Sequence, residues 1–150
     1  MDIDEQNLLV EKRKAERHSA LAMYCFFMIA VLTLVNSAAP FFNLQLNFLI
    51  GLGITQFIDG VAAAVRGQAG VAFSAVIVVI DLLFVTLFVV FGFLAKKRSA
   101  AGMIMGMVLY GFDSLLFFRT RSFVSIVFHC LALFFLYNGL EAAGKLGEAE

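Results

Sequence analysis

The chain has 150 residues, of which 62% are hydrophobic and 15% are charged, and its formal net charge is zero. Soluble domains carry roughly 45–50% apolar and about 25% charged residues, so a soluble chain of this length could not bury so much apolar surface. The zero net charge and the lack of a basic stripe argue against a nucleic-acid partner. The composition therefore predicts an all-α, polytopic integral membrane protein whose main partner is the lipid bilayer.

The chain opens with a polar segment and a first apolar run. Residues 1–19, MDIDEQNLLVEKRKAERHS, predict a cytoplasmic juxtamembrane segment. The apolar run 20–39 stops at Pro40 and predicts a first spanning helix, TM1. Its basic start and the small residues of "NSAA" also fit a signal peptide, but the run is long enough to span, and Pro40 stands where cleavage would fall. We predict a retained helix at the periphery of the bundle, because TM1 carries no ionisable side chain.

Four further apolar segments follow, and short polar linkers separate them. Short linkers make consecutive helices antiparallel neighbours. Gly144 is expected to end the last helix and to begin a short tail, 144–150. The sequence thus predicts five spans in one domain, 20–143, with four spans as the alternative if TM1 is cleaved or lies in the interface. The predicted later spans are TM2 (48–65), TM3 (70–95), TM4 (100–118) and TM5 (123–142).

Lys and Arg residues predict the orientation. Five spans place seven of them on the side of the N-terminus and four on the other side, which favours a cytoplasmic N-terminus and an external C-terminus. The cluster Lys96-Lys97-Arg98 opposes this arrangement, since five spans place it outside. Four spans would relieve the conflict. Because short hairpins with mid-helix aspartates are typical of small prokaryotic membrane proteins, we expect an inner (plasma) membrane location.

Ionisable and polar side chains interrupt the apolar helices. Helical spacing places them on the same faces as small residues, which are the faces that pack in lipid. A carboxylate facing lipid at that depth would be disfavoured by roughly 2.5–3.5 kcal/mol. At about 1.5 Å per residue, Asp59, Asp113 and His129 fall in one layer, with Asp81 below it. The sequence predicts an inward-facing polar layer of Asp59, Asp81, Asp113, His129, Gln56 and Tyr110.

Two interpretations of this layer remain open. The side chains form a hydrogen-bonded network that fixes helix register, or the carboxylates and His129 pass protons or bind a cation. Gly102 and Gly106 form a Gly-x-x-x-Gly pair that predicts close helix packing. Arg66, Arg119 and Arg121 are expected to be interfacial anchors.

A weak repeat relates two parts of the chain. "TQFIDGVAAAVRG" and "LYGFDSLLFFRTR" each place an aspartate in mid-helix and an arginine six or seven residues later, which predicts two weakly similar helical hairpins. No catalytic motif is present, and Cys25 and Cys130 lack metal-ligand spacing, so we expect no enzyme, cofactor or metal.

The sequence favours a structural or accessory role, as a scaffold, assembly factor or subunit of a membrane complex that packs against itself or a membrane-protein partner. The alternative is a minimal proton, cation or small-solute transporter, which would need an oligomer at this length.

Overall fold

The computed structural model of the chain describes residues 3–38, 52–65, 71–120 and 123–148. These residues form five helices and contain no strand, so the predicted all-α class and the helix count are confirmed. Three helices, α1, α3 and α5, are long and apolar enough to cross a membrane, and α4 has a shorter apolar stretch. The helices are α1 (Ile3–Ala38), α2 (Gly53–Val65), α3 (Val71–Lys96), α4 (Ala100–Thr120) and α5 (Phe123–Glu148).

Three helices differ from their predicted bounds. The juxtamembrane segment and TM1 form one continuous helix of 36 residues, α1. The helix α5 continues past Gly144 to Glu148, so the predicted stop is wrong. A glycine weakens a helix by about 1 kcal/mol but does not end one that is held by its neighbours. The helix α2 begins at Gly53 rather than at residue 48, and Leu52 before it is not helical.

The helix α1 lies at the centre of the bundle, which corrects the prediction that TM1 is peripheral. The side chains of Ala22, Phe26 and Ile29 are buried. The Phe26 ring packs on Phe88 and Phe91 of α3 at centroid distances of 6.3 and 5.9 Å. The prediction was based on the absence of ionisable groups from TM1. Small and aromatic side chains, however, determine which helix the others pack around.

The four long helices alternate in direction. Near the start of α1, Glu16 and Ser19 line a cavity together with Lys96 and Arg98 from the end of α3. Near the other end of α1, Ser37 lines a cavity with Asp81. The helices α1 and α3 are therefore antiparallel.

The C-terminal part of α5 lies at the same end as the start of α1. Glu11, Lys14 and His18 of α1 share a cavity with Glu141 and Lys145 of α5. We call this end of the bundle, where Lys14, Lys96, Arg98 and Lys145 lie, the basic end. We predicted that the N-terminal segment lies at one end and that the Lys96-Lys97-Arg98 cluster and the C-terminus lie at the other. This prediction is wrong, because α2 does not cross the bundle.

A tight turn joins α3 to α4 at the basic end. The Arg98 N–H donates to the Ala95 carbonyl at 2.9 Å and the Ser99 N–H donates to the Leu94 carbonyl at 3.0 Å, which is the Schellman pattern. Arg98 takes the left-handed conformation that this pattern requires, with φ 57°. The Ser99 hydroxyl then accepts from the Gly102 N–H at 3.3 Å and caps α4. The turn reverses the chain, so α4 runs antiparallel to α3.

The helix α2 is a half-length helix with its first residue inside the bundle. Its 13 residues make it about 20 Å long. Leu52, just before it, shares a cavity wall with Phe84 in the middle of α3. The part of α3 that precedes Phe84 is also about 20 Å long. Only residues 66–70 connect the two helices, so α2 runs back along the first half of α3, away from the basic end.

The predicted Gly-x-x-x-Gly face is filled within the chain. A Cβ atom at Gly102 would lie 2.6 Å from the Leu94 side chain, and one at Gly106 would lie 2.5 Å from the Phe26 ring. These two glycines let α4 approach α3 and α1 closely. The two predicted hairpins are unequal, because α2 starts inside the bundle and α4 starts at the basic end and has 21 residues.

Two glycines of α5 provide a matched test of this packing. A Cβ atom at Gly139 would overlap the Ala22 Cβ and lie 2.9 Å from the His18 carbonyl oxygen, whereas Gly144 has open space. We expect Gly139→Ala to lower the free energy of unfolding by about 1–3 kcal/mol through overpacking. Gly144→Ala should raise it by up to about 1 kcal/mol through helix propensity. Reversible unfolding in mixed detergent micelles measures both changes, and equal effects of the two variants would contradict the α1–α5 packing.

Candidate functional site

The buried N-terminus of α2 creates a need for hydrogen-bond acceptors. The first N–H groups of any helix have no partner within the helix, and a side chain at the N-cap position usually accepts from one of them. The N-cap residue here is Leu52, which has no polar side chain and is 1% exposed. Water is therefore excluded from this helix end, and other helices have to supply the acceptors.

Asp113 of α4 supplies two of them. Its Oδ2 accepts from the Gly53 N–H at 2.7 Å, and its Oδ1 accepts from the Ile54 N–H at 2.8 Å. Both bonds are short and charge-assisted, a class that is about twice as strong as neutral hydrogen bonds. The carboxylate also lies at the positive end of the α2 dipole. One side chain therefore caps a helix that begins 60 residues earlier in the sequence.

Thr33 of α1 supplies the third acceptor. Its hydroxyl accepts from the Leu52 N–H at 3.0 Å and donates to the Ile29 carbonyl one turn earlier in α1 at 2.8 Å. The Thr55 hydroxyl donates to the Leu52 carbonyl at 2.9 Å. Three successive backbone N–H groups, those of residues 52–54, are thus held by α1 and α4 together.

His129 of α5 completes the cluster. Its Nδ1 lies 2.8 Å from the Ser125 carbonyl, which can only accept, so Nδ1 carries a hydrogen. Its Nε2 lies 3.3 Å from Asp113 Oδ2. The imidazole therefore connects α5 to the carboxyl group that caps α2.

Tyr110 connects this cluster to the apolar core. Its ring stacks on the His129 imidazole at a centroid distance of 4.4 Å with planes 12° apart, and it meets the Phe88 ring edge-on at 6.1 Å. Tyr110, His129 and Thr33 are fully buried. We call Thr33, Tyr110, Asp113, Ser125 and His129 the polar cluster. Its members come from α1, α4 and α5, and it holds the start of α2.

Asp81 lies in a different part of the bundle. It is 4% exposed and faces the last turn of α1, where a cavity of about 130 Å³ is lined by Ser37, Leu34 and Ala38 of α1 and by residues of α3. The Ser37 hydroxyl is buried there and has no hydrogen-bond partner among the residues that the structure describes. This cavity shares no lining residue with the polar cluster, so the predicted layer is divided between two places.

The remaining predicted residues lie outside the cluster or outside the described part of the chain. Gln56 is half-buried on α2. Asp59 is six residues after Gly53 in α2, about 9 Å along the helix axis from the Asp113 contact, and its side chain is not among those described. Arg119 lies in the last turn of α4 but its side chain is likewise not described, and Arg66 and Arg121 fall outside the described residues.

Sequence reasoning missed Thr33 and the backbone N–H groups of residues 52–54. A signal for them existed in "GLGITQF", because a helix that starts there has Leu or Gly at its N-cap and no side-chain acceptor of its own. Such a helix end either faces water or needs an acceptor from elsewhere in the fold. Which residue provides that acceptor cannot be read from the local sequence.

Within the residues that the structure describes, no group of three or more His, Cys, Asp or Glu side chains is arranged to hold a metal ion. Comparison of the chain with protein-family models, with curated proteins and with solved structures finds no match. The arrangement of the polar cluster is therefore the basis for any functional inference.

The cap of α2 can be tested by replacing Asp113 with asparagine. The Asn side chain keeps the shape but has one acceptor oxygen, so one of the two amides of Gly53 and Ile54 loses its bond. We expect Asp113→Asn to lower the free energy of unfolding by about 1–3 kcal/mol and to speed hydrogen exchange at one of these amides. The matched control is Asp81→Asn, which should leave exchange at both amides unchanged. Equal protection of these amides in the wild type and in Asp113→Asn would contradict the cap.

Proposed function

We propose that the chain is a multi-pass integral membrane protein with four crossing helices, α1, α3, α4 and α5, and with α2 as a half-helix that enters the bundle without crossing it. A crossing helix needs about 20 apolar residues for a hydrocarbon core about 30 Å thick. The apolar stretch Ala100–Leu116 of α4 is at the short end of the range of roughly 17–25 residues, and the 13 residues of α2 fall below it. The first N–H groups of α2 are hydrogen-bonded to other helices. The N-terminus of α2 can therefore lie within the hydrocarbon layer.

The outer surface of the bundle supports insertion into lipid. Large apolar side chains point outward on all four long helices, and Leu83, Phe112 and Phe123 are 65%, 66% and 77% exposed. Soluble proteins rarely expose apolar patches larger than a few hundred Å². In a bilayer the acyl chains cover these side chains.

The four-span arrangement removes the charge conflict in the sequence. Eight of the eleven Lys and Arg residues lie at the basic end, on the start of α1, on the α3–α4 turn and on the last turns of α5. The positive-inside rule then places the basic end, with both the N-terminal segment and the end of α5, in the cytoplasm. The eight residues are Lys12, Arg13, Lys14, Arg17, Lys96, Lys97, Arg98 and Lys145.

Cysteine labelling tests this topology against five spans. In a chain without Cys25 and Cys130, single cysteines at Lys14, Lys97 and Thr120 react with a membrane-impermeant maleimide in sealed vesicles. Four spans predict that Lys14→Cys and Lys97→Cys are labelled from the same, cytoplasmic side and Thr120→Cys from the other. Five spans predict that Lys14→Cys and Thr120→Cys share a side. Labelling of Lys97→Cys from the outside would therefore refute the proposal.

Within the membrane we propose a structural or accessory role, as a scaffold, assembly factor or subunit of a membrane complex. The observation that carries this proposal is the apolar core between the polar cluster and the basic end. The side chains of Phe26, Phe88, Phe91, Met103 and Leu136 fill that space, and each is at most 2% exposed. A proton or ion pathway needs polar groups or water along its length, and among the described residues the core offers none at this level.

The transport alternative draws support from the buried contact between Asp113 and His129. Intramembrane pairs of this kind mark proton relays in pumps and transporters. Here the carboxylate already caps α2, and the apolar core separates the pair from the cytoplasmic end. The polar cluster is better suited to fix the position of α2 than to pass protons.

Reconstitution distinguishes the two roles. We expect the purified chain, in liposomes with a trapped pH-sensitive dye and an imposed potassium diffusion potential, to admit protons no faster than protein-free liposomes. Proton entry that Asp113→Asn abolishes and Asp81→Asn retains would overturn the structural role.

The accessory role also predicts that the chain, extracted from its own membrane in mild detergent, migrates as an assembly larger than a monomer. Since Gly102 and Gly106 are used within the chain, replacing the outward residue Leu131 should disturb that assembly more than Gly144→Ala does. A monomer under these conditions would contradict the role.

A further inference from the structure

An apolar groove leads from the outer surface of the bundle to the polar cluster. Its volume is about 280 Å³, and it lies where α3 and α4 separate and the start of α2 enters between them. Leu52 and Ile54 of α2 and Phe84 of α3 form its inner walls, and Phe112 of α4 forms its rim. Among the described residues that line it, Asp113 is the one with a polar side chain. We call this space the α2–α4 groove.

The carboxylate of Asp113 retains an acceptor position. An ionised carboxylate has about four acceptor positions. Three are filled, by the Gly53 N–H and His129 on Oδ2 and by the Ile54 N–H on Oδ1. The remaining position is on Oδ1. This oxygen accepts a hydrogen bond from the Ile54 N–H, and Ile54 lines the groove. The apolar groove therefore ends at one unfilled acceptor.

The charge and hydrogen-bonding character of Asp113 determine which polar group of a ligand can occupy this position. An anion would be repelled by the carboxylate. A cation would have to give up its hydration water to enter an apolar groove. An ester, ether or ketone offers acceptors only and would face another acceptor. A neutral hydroxyl donates one hydrogen bond and carries no charge, so it fits.

We propose that the α2–α4 groove binds a membrane-soluble alcohol, with an apolar chain along the groove and a hydroxyl that donates to Asp113 Oδ1. The proposal rests on the proposed membrane insertion, because the bilayer is the source from which such a compound enters. The rim of the groove is open on that side, where Leu109 is 40% exposed. At about 280 Å³ the groove lies just below the usual range for ligand pockets, roughly 300–1,000 Å³, which favours a single chain.

The hydroxyl group determines which membrane-soluble compounds the groove binds in preference to others. Lipid chains are as apolar as the groove walls, so an alkyl chain gains little by leaving the bilayer for the groove. The hydroxyl gains a charge-assisted hydrogen bond that hydrocarbon cannot offer. A compound with the same chain but without the O–H donor should therefore bind much more weakly.

The test uses 1-decanol and decyl methyl ether with the full chain in lipid nanodiscs. NMR signals of the Ile54 methyl and amide groups report occupancy of the groove. We expect saturable shifts with decanol, and at least tenfold weaker half-saturation, or none, with the ether. Equal affinity for the two compounds, or no saturable shift with decanol, would overturn the proposal without any variant.

Two tryptophan variants locate the site. Leu109→Trp fills the groove and should abolish the saturable shift. Val31→Trp is the matched control, since Val31 is 53% exposed on α1 and does not line the groove. Retained binding in Leu109→Trp, or equal loss in both, would overturn the location.

The ligand proposal and the proposed membrane topology can fail independently of each other. Cysteine labelling can establish four spans while decanol fails to bind, which removes only the ligand proposal. Labelling that gives another topology removes the membrane arrangement whatever decanol does.

Discussion

A helix that begins inside a protein has to find acceptors for its first N–H groups, and in this chain the Asp113 carboxylate meets most of that need for α2. An unsatisfied buried N–H costs about 1–3 kcal/mol, so three of them would be comparable to the whole stability of a small domain. The hydrogen bonds of Asp113 and Thr33 make the half-helix possible. The positions of α1, α4 and α5 around the start of α2 follow from this requirement.

The half-helix determines how the rest of the chain is arranged. Because α2 enters and leaves at the same end, the four long helices alternate, and the end of α3 returns to the start of α1. The basic clusters of the sequence then lie together at one end of the bundle. In the proposed four-span arrangement this charge distribution agrees with the positive-inside rule, whereas a fifth crossing would divide the clusters between the two sides.

Close packing is concentrated on the side of the bundle away from the α2–α4 groove. Gly106 of α4 accepts the Phe26 ring of α1. Gly139 of α5 lies against Ala22 and the His18 carbonyl oxygen, so α1 and α5 are in contact at backbone distance. Between α3 and α4 the helices separate, and the start of α2 fills part of the space. The same region therefore contains the cap, the contact between Asp113 and His129, and the groove, and each depends on Asp113.

The sequence by itself determined the class, the number of helices and the residues that had to be buried or partnered. Composition and runs of apolar residues are local properties, and each helix expresses them without help from the others. Only the tertiary structure decided that α1 is central, that Asp113 and Asp81 lie in separate places, and that α2 begins halfway along the bundle. These depend on contacts between residues far apart in sequence, such as Asp113 with Gly53, and no local pattern encodes which distant carboxylate meets a helix end.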